Sequence, residues 1–442
     1  MIKKLFLCCI LLSSFIMKAQ HTIKGTLSPA DTFKWIIAYR IQGSTEDYIA
    51  DSKVDNGKVT LNIPKNTKPG VLKLVYAVPE NQNSIDVIYD GKEDIEFNFN
   101  AKSGISFISS KENIIYNSYM KEIGYAQHQL VEFFKKNSTD KITYTKLIGN
   151  LKTIQQQYEK KGQGFLVESF IKANKPYIPT MYLTPEEYVG CVKDHYFDNV
   201  DFSNEVLQNS SLLLDKSAEY VFTSTALTNF SVEDAQQELQ TNVDTLAAKI
   251  KNINKNYQVY ILDNIWEALV ANHLTNAANY VTDKYLGSLA KSTNKEVYNK
   301  VELFKRTGVG NKAPQITWQE NGKTMTLDDL PKADNYVLAF WSSTCSHCAK
   351  EMPVLQDFLK GKNIPVVAVG LEDNDMKEHW EKEQKKYPDF HHALALGKWD
   401  SEYANLYGIN QTPTFFVLDA DKKIAYKPES LEDLEDYLKN DK

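Results

Sequence analysis

The chain has 442 residues and a formal net charge of −6 at neutral pH. A chain of this length is too long for one hydrophobic core, so two or three domains are expected. The mild negative charge and the lack of a basic stripe exclude nucleic acid as an expected partner.

The first residues have the layout of a secretory signal. Lys3 and Lys4 precede the apolar run LFLCCILLSSFIM, and Ala19 is the small residue before an expected cleavage at Gln20. A membrane-spanning helix needs about 20 apolar residues, and this run is shorter. We therefore expect residues 1–19 to be a signal peptide. The mature protein is then exported to the periplasm and has no stable membrane span.

Residues 20–108 are predicted to form a β-rich domain. The segments VDNGKVTLNI and SIDVIYDGKEDIEFNF alternate apolar and polar residues around Asn56-Gly57 and Asp90-Gly91. Such residue pairs favour tight hairpin turns. Their spacing predicts a small antiparallel β-sandwich.

Residues 109–305 have a helical pattern. The stretch YILDNIWEALVANHL places Ile261, Ile265 and Leu269 on one face, as in an amphipathic helix. Breaks such as KPYIPTMYLTP divide the region into several helices, and it has no fixed-period repeat. We predict an all-α domain, with Cys191 as a small buried residue of one helix.

Residues 306–442 alternate strands with helices. ITWQENGKTMTLDDL predicts a hairpin, and NYVLAFW and IPVVAVGLE are continuous apolar runs suited to buried strands. TPTFFVLDADKKIAYKP adds two more strands. The pattern predicts an α/β sheet with a parallel centre. His391 and His392 are expected at an edge of that sheet.

Signal removal leaves three cysteines: Cys191, Cys345 and Cys348. The close pair lies where a predicted strand ends and a helix begins. Backbone N–H groups at a helix start stabilise a thiolate, and in a Cys-x-x-Cys motif the pKa can fall from about 8.5 to about 3.5–7.5. Cys345, facing outward, is the expected attacking sulfur and Cys348, one turn along, the resolving sulfur. His347 adds a second donor or positive charge near Cys345.

Other uses of the pair fit less well. A c-type haem needs His directly after the second cysteine, where Ala349 stands. A structural zinc needs a second ligand pair, and neither Cys191 with His195 nor His391 with His392 forms a suitable knuckle. A purely structural disulfide would close too short a loop to add much stability. Redox cycling is favoured, with no metal and no cofactor beyond the cysteines themselves.

From about Val309 onward the chain resembles the TlpA/ResA type of thioredoxin-like proteins, the exported thiol-disulfide oxidoreductases of bacteria. The resemblance rests on GNKAP, VLAFWSSTCSHCAKEMP and GINQTPTFFVLD. It implies a thioredoxin fold for residues 306–442. The preceding regions are similar, more loosely, to the β and helical regions of large envelope members of this group. Peroxide-reducing relatives need a Thr-x-x-Cys site, which SSTCSHC lacks.

The resemblance also implies roles for individual residues. Cys345 and Cys348 match the redox pair, and Pro413, in QTPT, matches the proline that is cis and lies against the sulfurs. Glu351 matches the active-site glutamate that exchanges protons with the cysteines. The alternatives are an ordinary strand-edge proline and a solvated glutamate favoured by the helix N-terminus.

Two residues and one dipeptide depart from the thioredoxin pattern. Ala339 stands in place of a buried Asp, which leaves Glu351 as the expected proton carrier. Thr344 replaces the usual aromatic residue before the first cysteine, so partner selectivity is in question. Ser346-His347 is closer to disulfide isomerases and oxidases than to reducing thioredoxins, so the direction of electron flow stays open.

Together these patterns predict an envelope thiol-disulfide oxidoreductase. Its expected partners are exported protein thiols and disulfides and an upstream electron donor or acceptor that the sequence does not identify. A hypothesis from another class is a binding or scaffold protein of the envelope in which the redox pair is incidental.

Overall fold

The structure is a computed structural model that describes residues 21–80, 82–223 and 231–440. The predicted signal peptide, residues 1–19, lies outside them. The described residues separate into two compact units. One comprises the chain up to 223 with Ala248–Ile253, and the other comprises 231–247 and the chain from 254 onward. Helices of the predicted all-α region contribute to both units, and the domain boundaries at 108 and 305 remain predictions.

Strands fill the described chain before the first helix. They are β1 (Thr22–Ser28), β2 (Trp35–Gln42), β3 (Thr45–Lys53), β4 (Lys58–Asn62), β5 (Gly70–Val75), β6 (Ser84–Tyr89), β7 (Ile95–Asn100) and β8 (Gly104–Ser109). They form two sheets, in the orders β4-β1-β7-β8 and β3-β2-β5-β6. Ile23 and Phe97 of the first sheet share one buried cluster with Ile36 and Leu74 of the second. Every second side chain of β1 and β4 is buried, as the two-residue repeat of a strand requires.

The predicted all-antiparallel pairing is wrong for one pair of strands. β1 runs parallel to β7, with Ile23 opposite Ile95. At Asn56-Gly57 the chain forms the predicted tight turn, which is closed by an antiparallel bridge between Asp55 and Lys58. The turns at Asn56-Gly57 and at Gly91 nevertheless lead from a strand of one sheet to a strand of the other. Turn residues specify that the chain reverses direction. Which strands become neighbours is decided by the burial of distant apolar residues.

Helices follow β8 in the first unit. They are α1 (Lys111–Lys135), α2 (Lys141–Gly162), α3 (Val167–Ala173), α4 (Pro185–Asp194), α5 (Glu205–Gln208) and α6 (Leu212–Thr223). The buried Glu112 of α1 accepts a hydrogen bond from the Val167 amide at the start of α3, with an N···O distance of 2.8 Å. This contact satisfies an N–H group that has no partner inside its own helix.

Cys191 lies on α4 and is only partly buried. Its thiol forms a hydrogen bond with Tyr177. No residue of α4 is fully buried. The prediction of a buried cysteine is therefore wrong, because α4 does not insert a face into a core.

The chain continues through α7 (Val232–Ile250), α8 (Lys255–Ala271), α9 (Thr275–Val281), α10 (Gly287–Thr293) and α11 (Lys295–Thr307). A π-helical turn, Thr282–Leu286, joins α9 to α10. On α8, Ile261, Ile265 and Leu269 are buried as the periodicity predicts. In the described chain, no helix is long and apolar enough to cross a membrane.

The C-terminal region contains a hairpin and a mixed sheet. The strands are β9 (Thr317–Glu320), β10 (Lys323–Thr326), β11 (Asn335–Trp341), β12 (Val366–Glu372), β13 (His391–Leu396), β14 (Thr414–Asp419) and β15 (Ile424–Tyr426). The helices are α12 (Cys348–Leu359), α13 (Lys377–Glu383), α14 (Glu402–Tyr407) and α15 (Leu431–Asn440). β9 and β10 form the predicted antiparallel hairpin.

The mixed sheet has the order β13-β12-β11-β14-β15. β11, β12 and β13 are parallel, and β14 and β15 are antiparallel to their neighbours. β11 is central and almost entirely buried, as its apolar run predicts. His391 and His392 lie on the edge strand β13, also as predicted. The carboxyl ends of the three parallel strands meet at one edge, where the cysteine pair follows β11.

Candidate active site

Cys345 lies in the turn between the end of β11 and the start of α12. The Cys348 amide, the first N–H of that helix, donates to the Cys345 sulfur at 3.2 Å. The Cys345 carbonyl accepts the Ala349 amide at 3.0 Å. The sulfur therefore occupies the position of a helix cap, where free N–H groups and the positive end of the helix dipole converge.

The surroundings of Cys345 lower its pKa. Burial raises the pKa, but hydrogen bonds from the Cys348 thiol, the Thr412 side chain and the amides of Cys348 and His347 favour the thiolate. The donors outweigh burial, and the net pKa lies below its ordinary value. Because Cys345 is also partly exposed, it is the accessible and activated thiol of the pair.

Cys348 has the opposite properties. It is 0% exposed and packs in a cluster with Trp341, Met352 and Tyr387. Burial, together with the Cys345 sulfur, raises the pKa of Cys348 to about 12. Both cysteines are free thiols in the structure. The pair thus combines one partly exposed thiol with a lowered pKa and one buried thiol with a raised pKa.

Pro413 lies beside this pair. The Thr412–Pro413 peptide bond is cis. The Cys345 thiol donates to the Thr412 carbonyl, with an S···O distance of 3.4 Å. The structure therefore brings the two cysteines and the loop of Pro413 together, as the resemblance implies.

The other two candidate residues make different contacts. The His347 side chain is exposed, and the group of His347 that reaches the Cys345 sulfur is its backbone amide. Glu351 is partly buried in the first turn of α12. Within the described part of the chain, its carboxylate forms no hydrogen bond with either sulfur. The roles of the imidazole and of the Glu351 carboxylate remain predictions.

Sequence reasoning missed Glu372, the last residue of β12. Its side chain is 0% exposed, and it accepts hydrogen bonds from the Ser343 amide and from the hydroxyls of Ser342 and Ser343. The buried Ala339 on the neighbouring β11 carries no proton-transfer group. The signal available in the sequence was an acidic residue that directly ends a continuous apolar strand.

The sheet has a parallel centre, and a Cys-x-x-Cys turn follows its central strand and lies against a cis-proline loop. This combination defines a thioredoxin-fold oxidoreductase. Residues 309–427 match the model of the AhpC/TSA family. The thiol-disulfide oxidoreductase ResA of Bacillus thuringiensis subsp. konkukian is 30% identical over 138 residues, which cover 30% of this chain and 77% of that protein. ResA of Bacillus subtilis is 27% identical over 134 residues, 29% of this chain and 72% of that protein. Through this C-terminal region, the chain belongs to the ResA-like thiol-disulfide oxidoreductases.

Two solved structures are also similar. A thioredoxin-like protein from Bacteroides caccae is 20% identical, with a TM-score of 0.37, and covers 60% of this chain and 96% of its own. The C-terminal domain of a putative thiol-disulfide oxidoreductase from Bacteroides thetaiotaomicron is 25% identical, with a TM-score of 0.27. It covers 30% of this chain and 95% of its own.

Proposed function

We propose that the protein exchanges disulfides with exported polypeptides through Cys345 and Cys348. The observation that carries the proposal is the asymmetry of the pair. Cys345 is partly exposed and capped by the first amide of α12, whereas Cys348 is buried and has a raised pKa. An attacking thiolate must be ionised and accessible, and a resolving thiol must stay out of reach of other oxidants.

The reaction balances in two exchange steps. In the direction of substrate reduction, the Cys345 thiolate attacks a substrate disulfide, a mixed disulfide forms and one substrate sulfur leaves as a thiolate that takes up a proton. The Cys348 thiol then loses its proton and attacks the Cys345 sulfur, which releases the second substrate thiol. The substrate gains two electrons and two protons, and Cys345 and Cys348 become a disulfide.

Continued turnover then needs a second partner. A dithiol donor must reduce the Cys345–Cys348 disulfide again, or a disulfide acceptor must oxidise the dithiol when the enzyme runs in the opposite direction. No cofactor beyond the cysteines takes part in these steps. The reduction potential decides the direction, and we expect a value of about −230 to −150 mV, between thioredoxin and the strong oxidants.

The cell envelope is the proposed location. The support comes from the predicted signal peptide, residues 1–19, and from the expected cleavage after Ala19. Disulfides form and persist in exported proteins, so a polypeptide in that compartment offers the substrate bond that the pair needs.

Trapping of mixed disulfides tests the proposal. In Cys348→Ala the second step is lost, so Cys345 should accumulate mixed disulfides with exported proteins after expression in a host envelope. Cys345→Ala is the matched control and should accumulate few. The reverse pattern would contradict the assignment of the two sulfurs. Retention of disulfide reduction by a variant that lacks both cysteines would refute the redox role of the pair. Negligible disulfide reduction by the wild type would favour a scaffold protein.

A further inference from the structure

Glu372 forms a buried hydrogen-bond network with the turn that precedes Cys345. Its Oε2 accepts from the Ser342 hydroxyl at 3.2 Å and from the Ser343 hydroxyl at 3.1 Å, and its Oε1 accepts from the Ser343 amide at 2.5 Å. The Ser342 hydroxyl is also 3.1 Å from that of Thr344. Both carboxylate oxygens are thus used as acceptors for a single turn of the chain.

Ser342 connects this network to both sulfurs. Its carbonyl accepts the Cys345 amide at 3.1 Å, which fixes the backbone of the attacking cysteine. Its backbone also forms a hydrogen bond that favours the Cys348 thiolate. The Ser342 hydroxyl meanwhile binds Glu372. One residue therefore separates the buried carboxylate from each member of the redox pair.

From these contacts we propose that Glu372 is a positioning residue of the redox site, which holds residues 342–344 in the conformation that places Cys345 on the first N–H groups of α12. The inference rests on the proposed function, because it assigns a role in the same chemistry. Glu372 does not touch a sulfur and acts through Ser342 and Ser343. Its loss should leave the sulfur less well placed to receive the amides that stabilise its thiolate.

Other charged groups lie around Glu372 and must be separated from its effect. From α13, the exposed His379 places its Nδ1 2.9 Å from the Ser343 hydroxyl. After β12, Asp373 pairs with Lys398 at 3.3 Å near the surface. Asp373 is the matched control, because it is the next residue, has the same charge and is exposed. Its partners lie outside the turn of residues 342–344.

The test compares Glu372→Gln with Asp373→Asn in the full chain. The first readout is the pH profile of alkylation of Cys345 by iodoacetamide, with the modified peptide identified by mass so that Cys191 does not interfere. The second is the dithiol–disulfide equilibrium with glutathione. Glu372→Gln should raise the midpoint pH of the alkylation profile. It should also shift the equilibrium about tenfold toward the disulfide, which corresponds to a reduction potential about 30 mV more negative. Asp373→Asn should leave both unchanged.

The outcomes separate positioning from other roles. A fall in the alkylation midpoint would mean that only the negative charge of Glu372 acts, and it would overturn the inference. A lower melting temperature with an unchanged midpoint would show a structural role and would overturn it too. Should Glu372→Gln fail to fold, Ser343→Ala is the second variant, because it removes one hydroxyl donor to Glu372. It should raise the alkylation midpoint and shift the glutathione equilibrium about threefold toward the disulfide. Unchanged readouts in Ser343→Ala would then refute the inference.

Failure of the proposed function is distinguishable from failure of this inference. If the wild-type thiols do not equilibrate with glutathione, the proposed redox function fails. The alkylation profile needs only the Cys345 thiol, so it still decides whether Glu372 positions the site. If the wild type equilibrates and Glu372→Gln matches it in both readouts, only the inference is refuted.

Discussion

Two regions of the molecule use a buried carboxylate to fix a neighbouring segment. In the first unit, Glu112 is 3% exposed and accepts the Val167 amide at the start of α3. At the redox site, Glu372 is 0% exposed and accepts the Ser343 amide together with two hydroxyls. The local arrangement is similar, since each carboxylate receives the N–H of a residue that lacks a backbone partner.

The difference lies in what the fixed segment carries. Glu112 secures the start of a short helix whose buried residues are Val167, Phe170, Ile171 and Ala173, none of which has a redox-active side chain. Glu372 secures a turn whose next residues include a reactive sulfur. The first carboxylate should therefore affect stability and not reactivity, and the second should affect both. A buried acid becomes functional through the segment that it holds.

The titration of the two thiols should give the largest effect. A lowered pKa keeps Cys345 as a thiolate at lower pH, so its alkylation rate should level off below the ordinary thiol pKa of about 8.5. Cys348, with a pKa of about 12, should stay unmodified across the same range. Alkylation of the reduced protein from pH 5 to 10, followed by peptide mass analysis, measures both. Equal rates at the two thiols would remove the asymmetry on which the proposed function depends.

Loss of the Glu112 carboxylate tests the structural half of the comparison. Glu112→Ala leaves buried amides without an acceptor, which should destabilise the α3 region by about 1–3 kcal/mol. Glu112→Gln keeps an acceptor oxygen and is the matched control. Hydrogen–deuterium exchange of Val167–Ala173 measures the change. The pH profile of Cys345 alkylation should be unaffected in either variant. A shifted profile would contradict the view that Glu112 affects stability and not reactivity.

The same variants have a predictable pH dependence. Burial raises the pKa of Glu112 above its ordinary value of 4.5, although the Val167 and Leu166 amides oppose this. The folded state thus binds the proton more tightly than the unfolded chain does, so this group stabilises the fold at low pH and loses that contribution as pH rises through the folded pKa. The free energy of unfolding of Glu112→Gln, minus that of the wild type, should therefore increase as the pH rises. A difference that is independent of pH would contradict this assignment.

Replacement of His347 separates its amide from its ring. His347 has φ −70°, which proline can adopt, so His347→Pro removes the N–H that reaches the Cys345 sulfur with little backbone strain. The pKa of Cys345 should rise by about one unit, and alkylation at pH 7 should slow about tenfold. His347→Ala keeps the amide and should change little. A large effect of Ala would instead show that the imidazole acts on the sulfur.

Sequence patterns were sufficient where the relevant contacts are local. The hairpin of residues 317–326 and the Cys345–Cys348 turn depend on neighbours in the chain. The burial of β11 depends on distant strands, but its continuous apolar run is itself a local signal. The parallel pairing of β1 with β7 has no such local signal, because it joins strands far apart in sequence. Glu372 was missed for the same reason, since Ser343 is 29 residues away and becomes its partner only when β11 and β12 pair.

The smallest effect is expected for Glu351, the acid that the resemblance favours as proton carrier. Its carboxylate lies in the first turn of α12, and among the described residues it has no hydrogen bond to either sulfur. A transfer to Cys348 would therefore pass through solvent or a small rearrangement. Glu351→Gln should slow disulfide exchange by somewhat more than the about 0.3–1 kcal/mol expected from a surface charge near a helix N-terminus. It should also change the pH dependence of exchange.

Asp357→Asn is the matched control for Glu351→Gln, because it removes the same charge from an exposed position of the same helix. Disulfide reduction rates from pH 5 to 9 compare the wild type with both variants. A changed profile in Glu351→Gln alone would support proton exchange at Glu351. Superimposable profiles of wild type and Glu351→Gln would remove this residue from the mechanism. Glu372 would still have its hydrogen-bonded connection to the cysteine turn.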